Sequence, residues 1–434
     1  MKNKSGFILA ILLLFSTAAF AQFEETEVTS EMSKENLFDS LYIEGVREFD
    51  KDLGKQDYQK AITALEEAVA LEPDNPSAHY YLSYAYSGLN HKIAQGTSYR
   101  DKYLTIKSSI QMEAVIRLSP AFPAKLTLSP YSKITSDWAS LALHYYHNND
   151  LDSAFWAFSQ GRKRGGFSEF MLNIHRTQLD QCPANAILFS KGDDNTFNFL
   201  YLQVIENHRT DIAVIDLDLI NKLWYQNMLI QRNIVSFIPS TETREGYHFV
   251  SWNDTIIEIP IANTGRVFSW DFEARGSNPF YLYYGDFALM SMVSMNQFQR
   301  PVLFTDDAPN EDYHNLWSEV RDDILSKRIA PFEKKRLPTQ RFDSLSVIVM
   351  ENVKGFNKNS YDERLQLNNI RKSILNRIYL DWLSNVDSDK ENAKRLLIML
   401  TTKLPASDYP CIDEETSNMI KDFERVILGD SLAF

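Results

Sequence analysis

The sequence predicts a multidomain fold with three regions: all-α helical hairpins, then an α/β domain with a parallel, Rossmann-like βαβ unit, then a helical tail. Three observations lead to this fold class. Apolar and small residues recur at helical spacing up to Gly165-Gly166, and helical spacing returns from about residue 360. Between these regions, residues 182–221 give the order strand, loop, helix, strand. A chain of 434 residues is long enough for two or three domains.

Residues 1–21 have the pattern of a signal peptide. Two lysines precede an apolar segment from Phe7 to Phe15, and Ala19-Phe20-Ala21 resembles a small-residue cleavage site. Residues 22–40 are polar and acidic, which is typical of a linker. We therefore expect an exported protein, periplasmic or associated with the cell envelope and soluble after cleavage. No later run reaches the roughly 18 apolar residues of a membrane span, so none is expected in the mature chain.

The charge balance argues against one class of partner. Asp and Glu number 58 against 45 Lys and Arg, which gives a formal net charge of −13. An acidic surface repels the phosphate backbone of nucleic acids. We therefore expect no nucleic-acid partner.

Two stretches of the first region share a pattern of large and small residues. In the later stretch the pattern consists of Trp138, Leu141, Ala142, Tyr145, Ala154, Phe158 and Gly161. The earlier copy consists of Tyr58, Ala61, Leu65, Ala68 and Pro73, followed by Leu82, Ser83 and Tyr86. Small residues let two antiparallel helices cross closely, and large residues fill the flanks. Both stretches resemble the tetratricopeptide repeat (TPR), and we interpret residues 41–168 as three such repeats.

The resemblance to TPR repeats implies a binding surface. In this superfamily the stacked helices leave a groove that takes peptides or protein partners. The candidate groove residues are His79, Tyr80, Tyr84 and Tyr145. The resemblance thus implies a protein or peptide partner bound through the repeats.

The α/β domain is predicted over residues 182–345. Its βαβ unit has strands at 186–190 and 212–217 with a helix at 196–207 between them, and a further helix is expected at 221–231. The connection between the two strands should be right-handed and the strands parallel. This order places the loop after the first strand at one edge of the sheet.

A β-rich insert is predicted after the βαβ unit. Apolar residues alternate in YHFVSW and TIIEIPI, on either side of the turn Asn253-Asp254, which indicates a β-hairpin. A helix near 285–297 then leads into a strand from Pro301 to Thr305. That strand ends in Asp306-Asp307, so a second acidic pair is expected at the carboxyl end of a strand.

The central region resembles a known family. The resemblance is carried by Pro183 to Phe189, Gly192-Asp193-Asp194-Asn195-Thr196-Phe197, Tyr201-Leu202-Gln203, Arg209-Thr210-Asp211 and Arg300 to Phe304. These residues are similar to the soluble C-terminal region of bacterial membrane proteins of unassigned function, themselves similar to protein O-mannosyltransferases. The resemblance covers about residues 182–425 and implies the fold and an envelope location. The family's usual Gly-Asp-Asn-Asp-Thr order is altered here, and TPR repeats replace its membrane part.

Acidic side chains lie where ligands bind in open α/β sheets, beyond the carboxyl ends of the strands. The candidate ligand or metal residues are Asp193, Asp194, Asn195, Asp216, Asp306 and Asp307. One interpretation is that one or two of the first three cap the following helix, since Asp and Asn are preferred N-caps. The other is a site for a cation or sugar hydroxyls, because hard cations favour carboxylate clusters. No cofactor is expected unless these loops bind a divalent cation.

The C-terminal region, residues 346–434, is predicted to be helical. Ala393, Leu397, Leu400 and Pro405 repeat the spacing of a second TPR helix. The chain has two cysteines, Cys182 and Cys411. Export would allow a disulfide between them, but the sequence does not show whether they pair.

Two functions follow as expectations. The first is an exported protein-interaction module, a scaffold or adaptor of the bacterial cell envelope that binds through the TPR repeats. The second is a glycan-handling or metal-binding module related to O-glycosylation that uses the acidic loops. The sequence contains no G-x-S-x-G elbow and no complete catalytic constellation, which favours the first.

Overall fold

A computed structural model describes residues 33–52, 54–239, 249–251, 253–276, 280–306, 308–332 and 338–429. The predicted signal peptide lies outside these residues, and so does most of the predicted linker. Asp307 of the candidate site is also outside them.

The N-terminal region consists of helices that pair in chain order. Their bounds are α1 Lys34–Val46, α2 Tyr58–Leu71, α3 Pro76–Ala94, α4 Lys102–Leu118, α5 Pro130–His147, α6 Leu151–Lys163 and α7 Glu169–Gln181. The first six pack as three hairpins, α1 with α2, α3 with α4, and α5 with α6. Each later hairpin also packs on the one before it, through α2–α3 and α4–α5 contacts.

Polar N-caps explain where these helices begin. A Ser, Asp or Asn side chain accepts a hydrogen bond from the first turn of each helix from α1 to α7. The capping residues are Ser33, Asp57, Asn75, Asp101, Ser129, Asp150 and Ser168. Because Ser33 caps α1, the first helix starts at Lys34, inside the segment 22–40 that we expected to be a linker.

Small residues mark the close crossings within the hairpins. Ala142 and Ala154 are fully buried between α5 and α6. At Gly45 of α1, an added Cβ would meet the side chain of Leu65 at 2.5 Å. The steric argument that identified the repeats therefore also explains how α1 packs on α2.

The α/β region contains a five-stranded mixed sheet. Its described elements are β1 Ile187–Ser190, α8 Asp193–Ile205, β2 Ala213–Asp216, α9 Leu223–Gln231, β3 Phe249–Ser251, β4 Thr255–Ile261, β5 Arg266–Phe272, β6 Tyr281–Tyr283, α10 Tyr284–Asn296, β7 Val302–Thr305, β8 Val320–Asp323 and β9 Ser326–Ile329. The strand order is β2-β1-β7-β9-β8. Strands β2 and β7 are both parallel to β1, and β8 and β9 form an antiparallel hairpin beside β7. The predicted parallel βαβ unit is therefore present within a mixed sheet.

The insert between α9 and α10 differs from the prediction. Strand β3 pairs with β6, and β4 pairs with β5, so no hairpin forms around Asn253-Asp254. The tight turn instead lies between β4 and β5, where Asn263 and Gly265 have φ angles of +61° and +68°. Asn and Gly are the residues that adopt this left-handed conformation most readily, so the NTG sequence was the better turn signal.

The C-terminal region is helical, as predicted. It contains α11 Thr339–Glu351, α12 Tyr361–Trp382, α13 Asp387–Lys403 and α14 Glu414–Phe423, with a π-helical turn at Glu424–Leu428. Helices α12 and α13 pack together and bury Ala393, Leu397 and Leu400. Helix α11 crosses the predicted domain boundary at residue 345 because it packs on both α7 and α13.

The cores do not follow the predicted domain boundaries. One apolar cluster contains residues of α5, α6, helix α8 and the sheet, and within it Phe158 of α6 lies 5.9 Å from Tyr201 of α8 between ring centroids. A second cluster joins α7 to the C-terminal helices and includes Phe170 and Ile374. The third hairpin and the sheet therefore share a hydrophobic core. In the described part of the chain, no helix is both long and apolar enough to cross a membrane.

Candidate functional site where the hairpins meet the sheet

The acidic turn after β1 does not cap helix α8 with a side chain. Helix α8 begins at Asp193, and its N-cap is Gly192, which makes no side-chain hydrogen bond. Gly192 has a φ of +83°, which a residue with a Cβ adopts only under strain. The interpretation that side chains of Asp193, Asp194 or Asn195 cap α8 is therefore wrong. The two carboxylates lie in the first helical turn, where the helix dipole favours negative charge.

These side chains contact the preceding helices. Asp194 accepts a hydrogen bond from Ser132 Oγ of α5 at 2.7 Å. Asp193 interacts with Ser136, one turn further along α5, and burial raises the pKa of Asp193 while this hydrogen bond lowers it. The acidic turn thus attaches the sheet region to the third hairpin.

Asn195 makes a comparable contact with α7. Its Oδ1 lies 3.0 Å from Nε2 of His175, and its Nδ2 donates to the Lys191 carbonyl at 3.1 Å. The other His175 nitrogen lies 2.6 Å from the Met171 carbonyl. His175 is fully buried, so the amide fixes the position of α7 against the start of α8.

Asp216 ends strand β2 and lies beneath the start of α8. It accepts a hydrogen bond from Thr196 Oγ1, which is 2.7 Å from Ser190 Oγ, the last residue of β1. The backbone N–H groups of Asp218 and Leu219 also donate to it, at 2.9 and 2.7 Å. Burial raises the pKa of Asp216 to about 7, although these hydrogen bonds oppose the shift. Asp216 therefore organises the loop after β2.

A chain of charged groups bridges the loops after β1 and β7. Lys191 Nζ lies 2.8 Å from Asp312, and Asp312 also accepts from Arg275 at 2.6 Å. Arg275 pairs with Asp286 at 2.8 Å, and His314 lies 3.1 Å from Asp286. Burial alone would raise the pKa of Asp286, but hydrogen bonds from Arg275 and His314 hold it at about 2. Opposite charges are thus paired at the edge of the sheet where ligands bind in related architectures.

The structure describes only one residue of the second acidic pair. Asp306 is half-buried, and its carbonyl accepts a hydrogen bond from Lys327 at 3.2 Å. Asp307 lies outside the described residues. Across the described ranges, no group of three or more His, Cys, Asp or Glu side chains is arranged to hold a metal ion.

Two of the four residues predicted to line the TPR groove are enclosed in the fold. His79 is only 7% exposed, with its ring nitrogens 2.6 Å from Gln111 Oε1 and 2.8 Å from the Pro73 carbonyl. Tyr80 is fully buried and donates to the Leu128 carbonyl at 2.8 Å. Because both are enclosed, His79 and Tyr80 are not groove residues.

The other two candidates remain partly accessible. Tyr84 is half-buried, and its hydroxyl accepts from the Leu128 N–H at 2.6 Å. Tyr145 is also half-buried, 5.4 Å from the ring of His144. The segment before α5 therefore covers part of the α3 surface on which the prediction placed a groove.

A buried polar network between α3, α4 and α5 was not predicted from the sequence. Lys133 donates to Ser87 Oγ at 2.6 Å and forms an ion pair with Asp137. Asp137 also accepts hydrogen bonds from Ser87 at 2.8 Å and from Ser108 at 2.6 Å. The side chains of Lys133 and Asp137 are 5% and 8% exposed. Their spacing of four residues on one helix was the available signal, since such residues share a face.

The two cysteines are not bonded to each other. Cys182 is buried in the core shared by the hairpins and the sheet, whereas Cys411 lies between α13 and α14. The disulfide considered in the sequence analysis is therefore absent. Burial raises the pKa of the Cys182 thiol to about 12, so this thiol is unreactive near neutral pH.

Comparison with family models identifies two of these regions. Residues 53–90, which include α2 and most of α3, match the family model of the TPR repeat. Residues 171–278 match TMEM260-associated domain 2. Searches of curated proteins and of solved structures gave no match. The predicted order, TPR repeats followed by a region resembling an O-mannosyltransferase-like domain, is confirmed.

Only part of the candidate site lies within the segment that matches TMEM260-associated domain 2. The acidic turn and Asp216 lie inside this matched segment, whereas Ser132 and Ser136 precede it. Asp306 follows it. The side-chain contacts of Asp193 and Asp194 with α5 therefore join the matched segment to the third helical hairpin.

Proposed function

We propose that this protein is an exported, periplasmic protein-interaction module that acts as a scaffold or adaptor in the bacterial cell envelope. It binds a protein or peptide partner through its TPR hairpins. The observation that supports this most directly is the TPR match over residues 53–90 on a stack of three hairpins. The docked sheet region holds the third hairpin through Asp193 and Asp194, which leaves the first two hairpins for a partner.

Affinity purification from envelope extracts tests this proposal. Tagged full-length protein is compared with Tyr42→Gln, which alters a half-exposed ring on α1, and with Tyr103→Gln as control, a ring 75% exposed on α4. We expect one protein to be enriched by the wild type and the control, and to be lost at least fivefold with Tyr42→Gln. Equal recovery by both variants, or no enrichment together with a monomeric profile, would count against the proposal. Melting temperatures of all three proteins check that each is folded.

The location is tested separately. Cleavage after Ala21 predicts that the mature protein begins at Gln22 and is released by osmotic shock. Mass spectrometry of the intact protein from cell fractions measures both. A chain that retains Met1 and stays with cytoplasmic markers would contradict the export part of the proposal.

A second candidate is a glycan-handling or metal-binding module. It is supported by the match to TMEM260-associated domain 2 and by the part-exposed side chains of Lys191, Asp193 and Asp218 at the carboxyl edge of the sheet. Thermal shift assays with Ca²⁺, Mg²⁺, Mn²⁺ and a panel of sugars test it. A rise in melting temperature that Asp218→Asn abolishes would favour this candidate. Unchanged melting temperatures with every ligand would eliminate it.

A further inference from the structure

The surface of the first two hairpins is only partly covered. Near α5, the sheet region packs on the hairpins through α8. On α3, the segment before α5 binds the hydroxyls of Tyr80 and Tyr84 through the backbone of Leu128. Four aromatic side chains nearer the N-terminus, Tyr42, Phe49, Tyr58 and Tyr81, are half-buried, and three of them pack on the core of the first two hairpins. We call these four rings the aromatic face.

The aromatic face is continuous. Ring centroids lie 5.9 Å apart for Tyr42 and Tyr81, 5.5 Å for Phe49 and Tyr81, and 6.1 Å for Phe49 and Tyr58. It therefore bridges α1, the segment after α1, the start of α2 and the start of α3. The faces of aromatic rings carry negative charge density, which attracts a cation.

Other aromatic rings of the hairpins are already contacted by a cation of the same chain. Lys or Arg groups lie within 5.4 Å of the ring centroids of Tyr84, Tyr86, Phe122, Trp138, Tyr146 and Trp156. No described Lys or Arg lies over any of the four rings of the aromatic face in this way. Unlike these six rings, the aromatic face therefore has no described cation of the same chain over it.

Two carboxylates border the aromatic face. Asp39 lies three residues before Tyr42 and shares its side of α1, because residues three apart on a helix are neighbours. Asp50 lies close enough to Tyr81 for its charge to contribute to the raised pKa of that phenol, although burial is the larger cause. Both carboxylates are exposed, and neither forms an ion pair with a described residue. Three other acids of the same segment are paired, namely Glu44, Glu48 and Asp52.

We propose that the aromatic face, with Asp39 and Asp50, binds Lys or Arg side chains of an extended segment of the partner protein. This proposal rests on the function proposed above and names the chemistry of the partner. A cation placed over Tyr81 or Tyr42 gains from the ring electrons and from a carboxylate at the rim. The net charge of the chain adds long-range attraction for a basic segment.

Synthetic peptides test the proposal without knowledge of the partner. The probe is a labelled Gly/Ser-rich decapeptide with two arginines, and the matched probe carries citrulline at both positions. Citrulline keeps the shape of the side chain and removes its charge. Fluorescence polarisation measures both with full-length protein, with Asp39→Asn/Asp50→Asn, and with Glu67→Gln/Asp408→Asn. The last pair removes the same charge from exposed positions outside the aromatic face, on α2 and between α13 and α14.

We expect the wild type to prefer the arginine probe at least fivefold, and the Asp39→Asn/Asp50→Asn variant to lose most of this preference. The Glu67→Gln/Asp408→Asn variant should keep it. Equal losses in both variants would show general charge attraction and overturn the proposal, as would a wild type with no preference. If affinity purification still recovers a partner through Tyr42 in that case, only the cationic chemistry is wrong.

Discussion

Replacing Lys133 by methionine should strongly destabilise the third hairpin. The side chains of Lys133 and Asp137 are 5% and 8% exposed, so the ion pair is almost completely removed from water. Methionine fills a similar volume but leaves the Asp137 carboxylate with the hydroxyls of Ser87 and Ser108, which among the described residues are its remaining side-chain donors. Removing one partner of a buried ion pair costs about 3–5 kcal/mol because a buried charge is left uncompensated. We expect the free energy of unfolding to fall by that amount.

Urea unfolding followed by far-UV circular dichroism measures this change as a shift in the midpoint at constant slope. The control is the double variant Lys133→Met/Asp137→Asn, in which the uncompensated charge is also removed. It should recover most of the loss, since a neutral amide can still bond with Ser87 and Ser108. A loss below about 1 kcal/mol for Lys133→Met is the value expected for an exposed pair, and it would refute the reasoning.

Three further changes have predicted outcomes. Burial raises the Asp216 pKa from 3.8 to about 7. The protonated carboxyl therefore stabilises the folded state fully below pH 4, and this stabilisation is lost as the pH rises through 7. Urea titrations from pH 4 to 8 should therefore show that Asp216→Asn gains stability relative to the wild type as the pH rises; parallel profiles would contradict this. Gly192→Ala should cost about 1–2 kcal/mol, measured by the same unfolding assay, because φ is +83° although no atom lies within 4 Å of the added Cβ. Gly45→Ala should cost about 1–3 kcal/mol by clashing with Leu65, and Leu65→Val in the same chain should relieve part of the loss; additive costs would argue against the clash.

The sequence predicted those parts of the fold that depend on local patterns. Trp138, Ala142 and Ala154 marked the helix crossings, and each is buried where the steric argument requires it. Short apolar runs located β1, β2 and β7 to within one residue at each end. These features depend on neighbours close in sequence, so periodicity was sufficient to find them.

The partners of the acidic turn could not be predicted in the same way. Asp194 bonds with Ser132, which is 62 residues earlier in the chain. The start of α8 has the composition of an N-cap, and the local signal was interpreted accordingly. Which element packs against that turn is a property of the tertiary fold, and neither composition nor spacing contains it.

Two of the residues predicted to line the TPR groove are buried for a related reason. His79 and Tyr80 have the residue types of a recognition surface, but His79 bonds with Gln111 and Tyr80 with Leu128, at separations of 32 and 48 residues. The half-exposed rings of Tyr42 and Tyr81 became apparent only from the contact between α1 and α3. Sequence spacing therefore located the repeats and did not show which of their side chains remain accessible.

Site-specific photocrosslinking in living cells tests the central claim most directly, namely that the first two hairpins bind a partner protein. The photoreactive residue p-benzoylphenylalanine replaces Tyr42 in one strain and Glu67, on α2, in another. We expect a crosslink to one defined protein from position 42, identified by mass spectrometry, with little or none from position 67. The Asp39→Asn/Asp50→Asn variant should reduce this crosslink. No crosslink from position 42, or equal yields from both positions, would contradict binding of a partner by the first two hairpins.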